Sequence, residues 1–331
     1  MAAKPRVFVT RRLPELGLQK IAAACDMEVW PDQLPPPYDV IRGKIKDCDG
    51  LVSLLTDKID GPLLDTAPKL KVVSNFAVGF NNIDIPAATE RGIAVGNTPG
   101  VLTDATADMA LMLLISAARR LVESVDDAKA GRWKTWEPVG WLGQDLANRT
   151  VGIVGMGRIG SAFARRCRFG WNMKVLYSDL YQNAAAEKEF GAQKVELDTL
   201  LKESDFVSVH TDLNEKTKGM FNANLFKKMK KTAVFINTAR GPLVDQTALA
   251  EALRNGTIFS AGVDVTDPEP LPPDHELYKL ANCIIAPHIA SATVQTRDEM
   301  ARICAENVIA GIAGGKLTAL VNAEVEGKRR K

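Results

Sequence analysis

The apolar and polar positions of the chain form two series of short strand-like runs separated by helical patterns. Strands of the first series are predicted at 7–10, 27–30, 50–55, 70–74 and 93–95. Strands of the second series are predicted at 151–154, 174–177, 206–209, 233–236, 260–263 and 283–286. Short β-branched runs spaced by helices are typical of parallel sheets with right-handed crossovers. The pattern therefore predicts an α/β protein with two doubly wound parallel-sheet domains.

Helical patterns are predicted near 13–25, at 103–120 and at 294–310. In the second of these, Thr103 or Asp104 is the expected N-cap, because either side chain can accept a bond from a free N–H group. Arg119 and Arg120 suit the C-terminal end of the same helix, where its dipole is negative.

A tryptophan-rich stretch separates the second helix from the second series of strands. It contains Trp133, Trp136 and Trp141, and both Pro138 and Gly140 oppose a continuous helix there. Large aromatic side chains in an irregular segment pack into the local core, on the surface of the domain or against another subunit. The sequence leaves these possibilities open.

Composition narrows the class of protein. The chain has 331 residues, of which 46% are hydrophobic and 25% charged, and its formal net charge is +2. This length favours two domains, and the charge gives no reason to expect nucleic acid or a membrane as a partner. The longest apolar run, at 109–118, is about half of what spans a bilayer. The five cysteines form no C-x-x-C pair, so no disulfide framework and no metal site are predicted, and a cytoplasmic location is expected.

The two ends of the chain carry weak signals. Residues 1–5 lack the apolar core of a signal peptide. Residues 328–331 are all basic, and we expect a solvated, disordered tail there rather than a targeting or anion-binding tag.

The pattern G-x-G-x-x-G joins the strand at 151–154 to a helical pattern at 161–168. Gly155 permits a tight turn, Gly157 lets the backbone approach a pyrophosphate, and Gly160 lets the helix pack on the strand. The N–H groups and the positive dipole end of that helix face the phosphates. In this context of strand, loop and helix, the motif predicts a dinucleotide site.

An acidic residue, Asp179, ends the following strand, nineteen residues after Gly160. A carboxylate at this position accepts hydrogen bonds from the adenosine ribose and repels a 2′-phosphate. The alternative is that Asp179 caps the next helix. The sequence therefore predicts NAD(H) rather than NADP(H).

The chain has three histidines, which limits the candidates for an imidazole acid or base. His275 lies in a proline-rich segment and is expected to be exposed and inert. His210 ends a strand and suits either a contact near adenine or a structural role. His288 follows the last predicted strand, at the sheet edge where ligands bind, and is the best candidate for proton transfer.

Two further groups follow neighbouring strands. Glu269 and Asp267 both leave the strand at 260–263, and spacing alone does not decide which carboxylate would orient His288. Arg240 follows the strand at 233–236. Its guanidinium suits a substrate carboxylate or carbonyl, and the alternative is a structural salt bridge.

Several segments together resemble the D-2-hydroxyacid dehydrogenases, in order and at that family's spacing. The matching segments are 75–84, 155–160, 237–241, 264–270 and 287–293. The resemblance covers nearly the whole chain and is greatest to the glyoxylate/hydroxypyruvate reductase branch, particularly at 101–104 and 264–272. It implies a flavodoxin-like substrate domain, at 1–103 and 288–331, into which a Rossmann cofactor domain at 104–287 is inserted. A dimerisation arm at about 121–149 would join two subunits into a homodimer.

The resemblance also implies residue roles. Arg240 would bind the substrate carboxylate and polarise the carbonyl, and His288 would donate the proton with the assistance of Glu269. Backbone N–H groups of Val78 and Gly79 would hold the substrate carboxylate. Ser291 is a further expected substrate contact and Asp264 the expected partner of the nicotinamide carboxamide. Other expected cofactor contacts are Thr106, Arg158, Ile159, His210 and Thr238.

The expected function is NADH-dependent reduction of a small 2-oxoacid to the D-2-hydroxyacid by hydride transfer. Many enzymes of the resembling branch favour NADPH and carry a basic or neutral residue at the position of Asp179. The family's adenine-side His-x-Pro-Leu loop reads His210-Thr-Asp212-Leu213 here. The resemblance therefore places Asp212 near the adenosine end, where its negative charge also disfavours a 2′-phosphate. Val78 takes the place of a lysine in the phosphite-oxidising group, so phosphite oxidation is not expected of this chain. The remaining alternatives are bulkier 2-keto sugar acids, other 2-oxoacids, or an NAD(H)-sensing corepressor-like protein.

Overall fold

A computed structural model describes residues 3–330 of the chain. The chain forms two compact units. The first unit consists of the residues up to Leu102 together with those from Ala292 onward, and the second unit is Thr103–Ser291. The second unit is therefore inserted into the sequence of the first.

The first unit begins with five strands and four helices. The strands are β1 (Arg6–Val9), β2 (Asp26–Val29), β3 (Gly50–Ser53), β4 (Val72–Asn75) and β5 (Ala94–Gly96). The helices are α1 (Glu15–Ala24), α2 (Tyr38–Lys44), α3 (Gly61–Asp65) and α4 (Ile85–Glu90). The strands pair in parallel in the order β2-β1-β3-β4-β5, which is the flavodoxin-like order.

The second unit carries seven helices and seven strands in its described residues. The helices are α5 (Thr103–Ala118), α6 (Leu121–Lys129), α7 (Arg158–Trp171), α8 (Ala184–Phe190), α9 (Leu197–Glu203), α10 (Ala223–Phe226) and α11 (Gln246–Arg254). The strands are β6 (Thr150–Val154), β7 (Lys174–Ser178), β8 (Gln193–Lys194), β9 (Phe206–Val209), β10 (Val234–Asn237), β11 (Ser260–Val263) and β12 (Cys283–Ile285). Their parallel order, β12-β11-β10-β9-β6-β7-β8, extends the Rossmann order by one strand. The predicted fold class is confirmed.

The chain returns to the first unit through the long helix α12 (Val294–Ile312). This helix packs against α1, β3 and β4. The Ser74 hydroxyl on β4 donates a hydrogen bond to the carbonyl of Cys304, at 2.9 Å. Asn307 Nδ2 donates to the carbonyl of Asn97, at 3.0 Å. Since β3 and β4 are buried at every position, their apolar runs reflect a sheet covered on both faces.

The start of α5 differs from the sequence prediction. Thr103 and Asp104 lie in the first turn of the helix rather than at its N-cap. The carboxylate of Asp104 pairs instead with Arg166 of α7, with Nη2 and Oδ1 2.9 Å apart. The helix ends at Ala118, and Arg120 adopts a left-handed conformation (φ 54°) before α6. The carboxylate of Asp104 is therefore used in an ion pair between two helices.

The segment from 130 to 149 contains no helix or strand. Trp133 and Trp136 are 71% and 79% exposed, so they do not pack into the core of the unit. Trp141 is half-exposed and stacks on the guanidinium of Arg120, 4.8 Å from the ring centroid. Of the possibilities that the sequence left open, local core packing is wrong for Trp133 and Trp136.

The basic C-terminal segment is bound to the first unit, so the expectation of a disordered tail is wrong for its described residues. Arg330 Nη1 donates to the carbonyls of Ala67 and Leu70, at 2.7 and 3.0 Å. The backbone N–H of Arg330 donates to the carbonyl of Gly92, at 3.0 Å. Residues 1, 2 and 331, which belong to the expectations about the chain ends, lie outside the described residues.

Between residues 3 and 330, no helix is long and apolar enough to cross a membrane. The same residues contain no group of three or more His, Cys, Asp or Glu side chains that could hold a metal ion.

Candidate active site

The glycine loop follows β6 and opens directly into α7. Gly155 has a φ of +96°, which side chains of L-residues rarely adopt. A Cβ on Gly160 would lie 2.1 Å from the carbonyl oxygen of Gly155, so the helix packs directly on the loop. A Cβ on Gly157 would meet nothing within 4 Å. That open space lies beside the first N–H groups of the helix, where a pyrophosphate would bind.

Asp179 lies just beyond β7 and is tied to the glycine loop. Its Oδ2 accepts a hydrogen bond from the N–H of Met156 at 2.7 Å, and its Oδ1 accepts one from the N–H of Tyr181 at 3.0 Å. Each carboxylate oxygen keeps a second acceptor position for a ribose hydroxyl. Asn183, not Asp179, is the N-cap of α8. The carboxylate of Asp179 is therefore held at the loop rather than used as a helix cap.

Asn183 is a contact that the sequence analysis missed. Its Nδ2 donates to the carbonyl of Met156 at 2.8 Å and lies 3.0 Å from Ser161 Oγ, while its Oδ1 caps α8 through the N–H of Ala186. An Asn before a run of Ala and Glu is a typical helix-start signal and would have located it. Asn183 joins the start of α8 to the glycine loop.

His210 follows β9 and is hydrogen-bonded within its own unit. Its Nε2 lies 2.8 Å from Ser208 Oγ, and its ring packs on Phe163 with centroids 5.1 Å apart. Burial lowers the pKa of His210 to about 3. The ring is therefore neutral at physiological pH and is unsuited to donate a proton there.

His288 lies three residues beyond β12, and its Nδ1 is hydrogen-bonded to Oε1 of Glu269. The competing carboxylate of Asp267 is not the one that reaches His288. Asp267 contacts a different residue, because its backbone N–H donates to Oε1 of Gln246 at 3.1 Å. The structure therefore brings together an imidazole and a carboxylate that are nineteen residues apart.

The turn that carries His288 is held by Asp264, which follows β11. The two carboxylate oxygens of Asp264 accept hydrogen bonds from the N–H groups of Ile289 and Ala290, each at 2.8 Å. Its carbonyl accepts the N–H of His288 at 3.0 Å. His288 has a φ of 52°, which is uncommon for a non-glycine residue. Burial raises the pKa of Asp264, and Ser291 lies buried in the same turn.

Arg240 follows β10 and is largely removed from water. Burial lowers the pKa of its guanidinium, and the charges of Glu269 and Asp212 act in the opposite direction. Nη1 donates to the carbonyl of Ala239 at 2.7 Å, and the Arg240 carbonyl accepts from Asn237 Nδ2 at 2.9 Å. The negative charge of Asp212, a residue expected near the adenosine end, thus also favours the charged form of Arg240. A partly desolvated guanidinium is suited to binding an anion.

The remaining candidates of the second unit lie around these strand ends. Thr238, two residues before Arg240, has a buried Oγ1 without a hydrogen-bond partner among the residues that the structure describes. Such a hydroxyl suits a polar group of a ligand. Thr106 is buried on α5, and Arg158 and Ile159 open α7. Together with the open space at Gly157 and the carboxylate of Asp179, these residues fit a dinucleotide.

In the first unit, Val78 and Gly79 lie in the loop between β4 and α4 and are partly exposed. No residue between 3 and 330 accepts a hydrogen bond from either of their backbone N–H groups. A pair of free, accessible N–H groups is suited to an anion.

Comparison with known proteins identifies the family. Residues 111–290 match the model of the D-isomer specific 2-hydroxyacid dehydrogenase, NAD binding domain. The chain belongs to the D-isomer specific 2-hydroxyacid dehydrogenase family. The sequence-based resemblance is confirmed, and the second unit contains the part that binds a nicotinamide cofactor.

Individual relatives cover the chain almost completely. It is 52% identical over 323 residues to a glyoxylate reductase of Korarchaeum cryptofilum (strain OPF8), covering 97% of both chains. A crystal structure of a Thermus thermophilus protein, 44% identical, has a TM-score of 0.90 and covers 96% of this chain and 99% of that one. An NADPH-dependent glyoxylate/hydroxypyruvate reductase of Sinorhizobium meliloti is 31% identical, with a TM-score of 0.84 over 99% of this chain and 100% of that one.

Proposed function

We propose that this dehydrogenase reduces a small 2-oxoacid of the glyoxylate/hydroxypyruvate class to the D-2-hydroxyacid with NADH. The observation that carries this proposal is the hydrogen bond between His288 and Glu269 at the carboxyl ends of the strands of a dinucleotide-binding sheet. The names of the glyoxylate reductase relatives support the same substrate class.

His288 is the proposed proton donor. With Nδ1–H bound to Glu269, the protonated ring carries its other proton on Nε2, which can be given to the carbonyl oxygen of the substrate. A nicotinamide cofactor, when bound, would supply the hydride for the carbonyl carbon of the substrate. Asp264 fixes the turn of His288 through Ile289 and Ala290, and it is also the proposed contact of the carboxamide.

Arg240 is the proposed anchor of the substrate carboxylate and polarises the adjacent carbonyl. Its partial burial makes each bond to an anion stronger than it would be in water. The N–H groups of Val78 and Gly79 are proposed to hold the carboxylate as well, and Ser291 is a further proposed contact.

The proposed preference for NADH rests on Asp179, whose carboxylate is fixed at the glycine loop. A 2′-phosphate beside a fixed carboxylate is repelled, whereas two ribose hydroxyls find acceptors. Thr106, Arg158, Ile159, His210 and Thr238 are the other proposed cofactor contacts.

We propose a homodimer formed through the arm at about 121–149, which comprises α6 and the segment that follows it up to β6. Many apolar side chains of this arm are exposed in the single chain, and a second copy would cover them. The exposed members are Leu121, Val122, Val125, Trp133, Trp136, Val139, Trp141 and Leu142. A cytoplasmic location is also proposed, because all five cysteines are free. Light scattering of the purified protein tests the dimer, and a monomer at micromolar concentration would refute it.

The function is tested by following NADH absorbance with a panel of acids: glyoxylate, hydroxypyruvate, pyruvate and a bulkier 2-keto sugar acid. We expect turnover of the small acids with NADH and a loss of about 10²–10⁴-fold in kcat for His288→Ala. Tight NADH binding without turnover of any acid would refute the enzyme and favour a cofactor-sensing protein.

A further inference from the structure

The loop after β4 has three consecutive carbonyl groups that accept hydrogen bonds from within the first unit. The accepting residues are Ala77, Val78 and Gly79. Their respective donors are the N–H of Thr98 at 2.9 Å, Asn97 Nδ2 at 2.8 Å and Asn75 Nδ2 at 2.9 Å. The donors are buried, with Asn75 and Thr98 0% exposed and Asn97 8% exposed. Each of the three peptide groups is therefore held by a buried donor.

The direction of these carbonyls determines the direction of the neighbouring N–H groups. In a trans peptide the C=O and the following N–H point in opposite directions. The N–H groups of Val78, Gly79 and Phe80 are therefore turned away from the donors. Within the described part of the chain, none of the three has an acceptor. Phe80 is 41% exposed, and its two predecessors are partly exposed, so an external anion can reach this row of donors.

The carboxamide of Asn75 is itself held in one orientation. Its Oδ1 accepts the Ser53 hydroxyl at 2.9 Å and lies 3.4 Å from Asn82 Nδ2, and its Nδ2 donates both to the carbonyl of Gly79 at 2.9 Å and to Asn82 Oδ1 at 3.2 Å. The backbone of Asn97 is fixed by its carbonyl, which accepts Asn307 Nδ2 at 3.0 Å. A side chain whose own partners are satisfied is rigid enough to set the position of another group.

We propose that Asn75 and Asn97 are positioning residues for the carboxylate of the substrate, and that the N–H of Phe80 is a third donor beside those of Val78 and Gly79. The two asparagines touch no substrate atom. They hold the carbonyls of the loop inward so that the three N–H groups meet the anion without reorganisation. The inference rests on the proposed function, because it assigns the support of the same carboxylate site.

The experiment compares Asn97→Ala and Asn97→Asp with the wild type. An ionised Asp side chain keeps the shape of Asn but has no N–H group, so it cannot donate to the carbonyl of Val78. Asn75→Asp removes the donor to Gly79 in the same way. The matched control is Asn322→Ala, because Asn322 is also buried and bonded within the first unit, to Thr89, Ile93 and Val95, away from the loop.

The measurements are kcat and KM for glyoxylate, the Kd of NADH, and the Kd of oxamate on the NADH-loaded protein. Oxamate is a 2-oxoacid analogue that is not reduced. We expect KM and the oxamate Kd to rise about tenfold or more in each variant at the loop, since bonds to a charged group are at stake. The NADH Kd should stay within twofold of the wild type, as should every constant of the folded control.

Wild-type KM and oxamate Kd in folded Asn97→Asp and Asn75→Asp would overturn the inference while leaving the proposed function intact. An equal rise in the control, or an equal rise in the NADH Kd, would overturn it too, because the asparagines would then act on general stability. If Asn97→Ala does not fold, the two Asp variants decide the result. If the wild type neither binds oxamate nor reduces a 2-oxoacid, the proposed function and this inference fail together.

Discussion

His288 is oriented from two sides, by Glu269 at its ring and by Asp264 at its backbone. These two acidic residues follow the same strand, β11, and they act on different parts of the histidine. The hydrogen bond between Glu269 and the ring selects which ring nitrogen carries the proton for the substrate. The hydrogen bonds between Asp264 and the backbone fix the turn from which the ring extends. Loss of the Glu269 contact and loss of the Asp264 contacts should therefore affect catalysis in different ways.

We expect Glu269→Gln to lower kcat by up to about 10²-fold, because a neutral amide stabilises the protonated imidazole less than a carboxylate does. KM for the 2-oxoacid should change little. Steady-state kinetics across pH 5–9 give both constants. Asp267→Asn is the matched control, since Asp267 follows the same strand and contacts Gln246 through its backbone N–H, which the substitution keeps. A Glu269→Gln variant with wild-type kcat at every pH would contradict the proposed pair.

Gly160→Ala and Gly157→Ala should separate folding from cofactor binding. A Cβ on Gly160 would lie 2.1 Å from the carbonyl of Gly155, so Tm should fall and NADH affinity should fall with it. A Cβ on Gly157 meets nothing in the protein, so Tm should stay within about 2 °C of the wild type. NADH affinity should still fall, because the methyl group occupies the expected pyrophosphate space. Thermal unfolding and NADH titration test both variants, and equal NADH affinity in Gly157→Ala and wild type would place the pyrophosphate elsewhere.

Asp179→Asn should weaken the preference for NADH. The carboxylate charge disappears at nearly constant shape, so the ratio of kcat/KM for NADH to that for NADPH should fall about tenfold or more. Measuring both cofactors with one saturating acid gives the ratio. Asp198→Asn is a suitable control, because that carboxylate pairs with Lys228 on the surface, 2.6 Å away. An unchanged ratio would show that another residue sets the preference.

His210→Asn should make unfolding less sensitive to acid. In the unfolded chain the histidine takes up a proton below its usual pKa of 6.5, whereas the folded pKa is about 3. Above pH 6.5 His210 is neutral in both states and does not lower the free energy of unfolding. As pH falls from 6.5 towards 3, the free energy of unfolding decreases by up to about 1.4 kcal/mol per pH unit, because only the unfolded chain takes up this proton. Urea unfolding at several pH values in this window measures the slope. Parallel curves for variant and wild type would disprove the contribution of His210.

Arg330→Ala should destabilise the first unit, because its guanidinium bonds two carbonyls, those of Ala67 and Leu70. Losing two such bonds costs about 1–3 kcal/mol. Lys328→Ala tests the same segment at an exposed side chain and should leave Tm unchanged. Chemical unfolding measures the free energy of unfolding of both variants. Equal free energies for Arg330→Ala and wild type would refute the role of this contact.

Most of the strands were predictable because they are short runs of apolar, often β-branched residues, and the majority are buried. Of the twelve strands in the described residues, β8 escaped prediction, since Gln193–Lys194 is a two-residue edge strand without an apolar pattern. The helix α5 was predicted at 103–120 and begins at Thr103 as predicted, but the N-cap role given to Thr103 or Asp104 was wrong for a tertiary reason. Asp104 meets Arg166 on another helix, and such a pairing leaves no signal within a window of neighbouring residues.

The chemistry of the candidate site was predictable in part. Histidines are few and strand ends are identifiable, so His288 and Arg240 could be selected from the pattern. Spacing alone did not decide between Glu269 and Asp267, the family resemblance favoured Glu269, and the structure places Glu269 in contact with His288. The bound C-terminal segment was missed because its carbonyl partners, Ala67 and Leu70, lie far away in sequence. Contacts of backbone carbonyls carry no residue identity from which they could be read.

Because α12 completes the first unit from near the end of the chain, the ribosome releases β1–β5 long before the helix that covers β3 and β4. The second unit is continuous in sequence and can fold as soon as it emerges. During synthesis the first sheet therefore exposes apolar side chains to the cell until Val294–Ile312 has left the tunnel. Nascent or truncated chains that end before this helix should depend on chaperones and aggregate readily.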